Sequence, residues 1–181
     1  MTRTLALFLN VVALAAGVAL AVPPLARATE ADSEAAQIAA LKAEVEQLRG
    51  QIPSQSHAMT DVDYQFTNLW FAARESNWPL ATFYLNETRS HINWTVRLRP
   101  VRKLASGQDL DLRPLLQAIE QSGLAEIRTA IDKHDSKAFK SAYQDTLAQC
   151  YSRHLASEKP FLRPGIPASP ATRLIQMKPG H

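Results

Sequence analysis

The chain has 181 residues, of which 46% are hydrophobic and 20% charged, and its formal net charge is +3. Charges of both signs are interspersed and no basic patch alternates with aromatics, which argues against nucleic acid as a partner. The single cysteine excludes an internal disulfide, and six glycines set in a strongly helical pattern argue against an all-β fold.

Thr2-Arg3-Thr4 opens the chain with one positive charge, and Leu5 to Val22 is then apolar apart from Asn10 and Gly17. Ala26-Arg27-Ala28 places small residues where a signal peptidase reads them. Residues 1–28 are therefore expected to be a Sec-type signal peptide and the mature protein periplasmic. The apolar run approaches the length that spans a bilayer, so a membrane is expected as a partner only if this segment stays uncleaved. Pro23-Pro24 ahead of the small-residue site favours cleavage. Cleavage removes Arg3 and Arg27 but no acid, so the net charge of +3 falls to +1.

Residues 29–55 form a stalk of different composition. Ile38, Leu41, Val45, Leu48 and Ile52 recur at alternating intervals of three and four, the seam of a heptad helix. Lys42, Glu44, Glu46, Gln47 and Arg49 lie between them. This segment reads either as an oligomerising coiled coil joining copies of the chain through residues 34–52, or as an amphipathic helix folded back on its own domain. Gly50 and Pro53 end it.

Residues 56–159 carry the aromatics and long helical periodicities. Thr60 with Asp61 and Asp63 suggests a first helix start, followed by Tyr64, Leu69 and Trp70-Phe71. Asn77-Trp78-Pro79 opens a second helix, with Asn77 as its cap, running to Pro100. After a polar loop a third helix begins near Leu112-Arg113-Pro114 and bends at Ser122-Gly123. Asp135-Ser136 caps a fourth, with Phe139, Tyr143, Leu147, Cys150 and His154 along one stripe. No strand is expected. Four helices with short connections imply an all-α antiparallel four-helix bundle behind the heptad helix. Residues 160–181 hold five prolines and are expected to form an extended strap.

The residues with most chemical content are Cys150-Tyr151-Ser152-Arg153-His154. They differ at one position from C-x-x-C-H, in which two thiols add to the haem vinyls and the following imidazole binds iron. Cys150 and His154 keep the four-residue spacing that shares a helix face. Arg153 cannot form a thioether, although its guanidinium can pair with a carboxylate. Together with Lys159-Pro160-Phe161-Leu162-Arg163-Pro164 and Ile166-Pro167, this region resembles the small periplasmic four-helix-bundle c-type cytochromes, the cytochrome c-prime-like group. The resemblance spans roughly residues 57–170. It implies that His154 is the proximal iron ligand and Cys150 the first thioether cysteine, with Arg153 departing from the pattern. It also implies a haem protein that transfers electrons or binds a small ligand, with a periplasmic redox partner.

Two alternatives stand beside it. A haem-free bundle would act as an oligomeric binding or scaffold module with a periplasmic partner. A copper site would draw on Cys150 and His154, with His57 or Met59 from the start of the first helix. His57 and Met59 are also the candidates for a further haem ligand, against the plainer reading of an exposed cap-region histidine and a core methionine. No acid, base or nucleophile set is visible, so no enzymatic activity is expected.

Overall fold

The computed structural model describes residues 24–180, and the chain divides between Gln51 and Ile52 into two units. The apolar run from Leu5 to Val22, expected to be the signal segment, lies outside the described residues. Helix α1 (Pro24–Gln51) is the described part of the first unit, and Ala26-Arg27-Ala28 falls on its first turns. Ile38, Leu41, Val45 and Leu48 are 44% to 60% exposed along it. Among the described residues, no helix is long and apolar enough to cross a membrane.

The second unit is mainly helical. Helix α2 (Gln55–Arg74) starts ahead of the expected Thr60, because the Ser54 hydroxyl accepts from His57 N at 3.2 Å and caps it there. Helix α3 (Trp78–Leu98) is capped by Asn77, whose side-chain oxygen accepts from Leu80 N at 3.3 Å. Pro79 stands in its first turn, where a missing N–H costs nothing.

The segment expected to be strandless holds a short antiparallel pair, β1 (Val101–Lys103) and β2 (Asp109–Asp111), turned at Gly107 with φ 87°. Leu112 N donates to Pro100 O at 2.8 Å and closes the base of this hairpin.

The single bent helix expected after it is two helices, α4 (Arg113–Gln121) and α5 (Gly123–Asp132). Ser122, at φ −116° and ψ −92°, breaks the ladder between them. Gly123 is required there, since a Cβ would overlap the Thr146 hydroxyl of the facing helix. That helix, α6 (Ser136–Ala156), begins where Asp135 accepts from the amides of Lys137 and Ala138, both at 2.9 Å.

Three helix ends use one device. After α2, α5 and α6 the chain passes through Ser76, His134 and Glu158, all at positive φ. In each case the next amide reaches back five residues: Asn77 N to Ala72 O, Asp135 N to Ala130 O, Lys159 N to His154 O. These are Schellman endings built without glycine, so each carries a left-handed residue with a Cβ.

Helix α2 packs on α3, α5 on α6, α3 on α5, and α2 on α6. Phe66 stacks on Tyr143 at 4.3 Å between ring centres, and Trp70 lies 6.1 Å from Phe139, so α2 and α6 run antiparallel. Leu69, Leu85, Ile119, Leu124, Ile127 and Ile131 fill the rest of the core. Burying each such side chain contributes about 1.5–3 kcal/mol.

The described part of the proline-rich tail forms no helix or strand, and from Ala171 it lies along α2. Asn68, fully buried, accepts from Ala171 N at 3.0 Å and Thr172 N at 3.1 Å. Asn77 then donates to Met177 O at 3.1 Å, and Met177 packs against the core. Prolines have no amide to leave unpaired, which suits a segment without a ladder of its own.

Candidate functional site

The last two turns of α6 carry Cys150, Arg153 and His154 on adjoining faces. Cys150 is a free cysteine packed against the hydrophobic core, and burial pushes its thiol up from the ordinary range, against the opposing pull of the Arg153 charge. A thiol so placed behaves as a small hydrophobe.

His154 meets the tail. Its Nδ1 lies 2.7 Å from the Leu162 carbonyl oxygen, to which it donates. The tail turns tightly around this end of the helix. The Tyr151 hydroxyl donates to Pro160 O at 3.3 Å, and the Arg163 guanidinium sits 5.7 Å over the Tyr151 ring. Glu158 reaches the other way and accepts from Ala105 N at 2.5 Å and Ser106 N at 3.2 Å in the hairpin turn. Hydrogen bonding from Ser106, with the Ala105 amide, holds its carboxyl below the usual range.

Arg153 is the least settled of the three. Its Nε is buried without an acceptor, and among the described residues the guanidinium makes no ion pair. Burial lowers its pKa. It lines an open groove of about 310 Å³ between α4 and α6, which neither Cys150 nor His154 lines.

His57 is exposed in the first turn of α2, engaged through its backbone amide to Ser54. Met59 is half-buried and packs against the core. Counting along the antiparallel pair from Phe66 and Tyr143, Met59 and Cys150 fall at the same end of the helical unit. Among the described residues no three His, Cys, Asp or Glu side chains gather as ligands for a metal ion. His91 lies between Asp61 and Glu87, 3.8 Å from each, on the α2–α3 face.

These residues do not fit a haem held by two thioethers. Arg153 replaces the second thiol, the first is half-buried against the core, and the adjacent concavity opens beside Arg153 instead. Nε2 of His154, on a ring whose Nδ1 is fixed by a carbonyl, has the placement of an axial ligand.

Sequence reasoning missed Glu158, and it missed the part that Tyr151 and Leu162 play in positioning this helix end. The available signal was Lys159-Pro160 directly after the helix, since proline commonly follows a helix stop. It missed equally the stacking of His134 on Trp78, 5.3 Å between ring centres and 3° from parallel. No family model matches the chain, and none of the curated proteins or solved structures compared with it gives a match.

Proposed function

We propose that the chain is a haem-free helical scaffold module of the periplasm, assembled through α1. Its second unit is a four-helix bundle of α2, α3, the broken pair α4–α5, and α6. The observation that carries this reading is the apolar seam Ile38, Leu41, Val45 and Leu48, exposed along a helix at heptad spacing with charged residues beside it. A second copy offering the same seam covers it by knobs-into-holes packing. Sedimentation of the full chain tests this. Assembly that Leu41→Glu with Val45→Glu abolishes supports it, and a monomer at all concentrations overturns it.

A second reading keeps His154 as an iron ligand through Nε2, supported by the Nδ1 bond to Leu162. Haem would supply redox or gas-binding chemistry there. An absorption spectrum with a pyridine haemochrome assay, on protein made in a periplasm with active haem maturation, separates the two. Colourless folded protein supports the scaffold; colour that His154→Ala removes supports the haem.

A further inference from the structure

A guanidinium whose Nε is sealed from water and finds no acceptor is costly, because a buried donor to a charged group keeps its desolvation penalty. Arg153 is such a group, and it stands at the wall of the groove between α4 and α6. Leu115, Ala118 and Ile119 supply an apolar side to this groove from α4. From α6, the Gln149 side chain lies 2.9 Å from the Ser122 hydroxyl, whose one proton goes to Ala118 O at 2.7 Å. No acidic residue lines the groove. The groove is open to solvent along one side.

We infer that this groove is a binding site for a small carboxylate with an apolar body, the carboxylate on Arg153 and the body against Leu115, Ala118 and Ile119. The charge is read by the two Nη nitrogens of the guanidinium, Nε being sealed from solvent, and the hydrocarbon is read by the α4 side. The site is independent of whether α1 joins copies of the chain.

The test is titration of the full chain with octanoate, and with 1-octanol as the neutral control, followed by amide chemical shifts. Octanoate is expected to saturate one site, shifting amides of α4 and the end of α6, with octanol weaker by about tenfold or more. Arg153→Gln is expected to reduce octanoate to the level of octanol. Ala118→Phe, at an exposed position that leaves the core untouched, fills the groove and is expected to abolish both. Equal binding of octanoate and octanol overturns the site. So does unchanged octanoate affinity in folded Arg153→Gln or Ala118→Phe, or no saturable binding at millimolar octanoate.

Discussion

The hydroxyl of Tyr143 donates to the carbonyl oxygen of Phe66 at 2.9 Å while the two rings stack within 9° of parallel. One side chain of α6 thus engages both the backbone and the ring of one residue of α2. Burial drives the phenol pKa far up, so it stays a neutral donor at any ordinary pH. Removing only the hydroxyl, as Tyr143→Phe, is expected to cost about 1 kcal/mol. Tyr143→Ala, which also empties the core, is expected to cost about 3–5 kcal/mol. Urea unfolding measures both, and equal losses for the two would mean that the stack contributes nothing.

Gly123→Ala is expected to destabilise, although alanine ordinarily favours a helix. The added methyl meets Thr146, which is buried and whose hydroxyl donates to Ala142 O at 2.7 Å. Overpacking of this kind costs about 1–3 kcal/mol. Pairing the change with Thr146→Ala makes room for the methyl, and a double-mutant cycle is expected to show that the second substitution offsets part of the first.

The left-handed residues at the helix ends respond differently to glycine. Ser76→Gly relieves the Cβ at φ 57° and is expected to stabilise by about 1 kcal/mol. His134→Gly relieves the same strain at φ 54° but loses the ring stacked on Trp78, so its gain is expected to be smaller or reversed. Thermal unfolding of both variants gives the order.

The Cys150 thiol is expected to react slowly with a thiol reagent in the folded protein and rapidly in denaturant, since burial disfavours its thiolate. The folded pKa lies above the unfolded one. Its contribution to stability is therefore full below the ordinary thiol range and is lost as pH rises through the raised value. Cys150→Ala removes that alkaline loss, which denaturation at a series of pH values detects.

Glu158 is displaced in the opposite direction. Its carboxylate is held down by donors of the hairpin turn, so the contact is present above the ordinary carboxylate range and is lost as pH falls through the lowered value. Amide shifts of Ala105 and Ser106 are expected to titrate with that same midpoint. Glu158→Gln is expected to abolish the titration while the hairpin and α6 remain.

Local chemistry was the legible part of this fold. The caps at Asn77 and Asp135 lie within a few residues of the amides they accept from, so sequence alone places them. The hairpin was hidden because Val101-Arg102-Lys103 and Asp109-Leu110-Asp111 are too short and too charged for alternation to register. Its pairing rests on Gly107 and on a closing bond between Leu112 and Pro100. The break at Ser122 was visible only as a bend, since what decides it is the close approach of Thr146 from another helix. At the candidate site, the spacing of Cys150 and His154 was plain. That Cys150 packs inward, that Arg153 lines a groove and that Leu162 holds His154 depends on packing between distant segments, which spacing does not encode.

Asn68 also sets the order in which the molecule can be completed. Its partners Ala171 and Thr172 lie 103 and 104 residues further along the chain, and Asn77 waits 100 residues for Met177. Bonds of such long range close late, after the loss of chain freedom has been met by nearer contacts. Until Ala171 and Thr172 are laid down, the Asn68 side chain is an open polar gap in the flank of α2. A chain stopped short of Ala171 would thus keep its helices yet expose that flank, a half-finished surface of the kind that chaperones and proteases recognise.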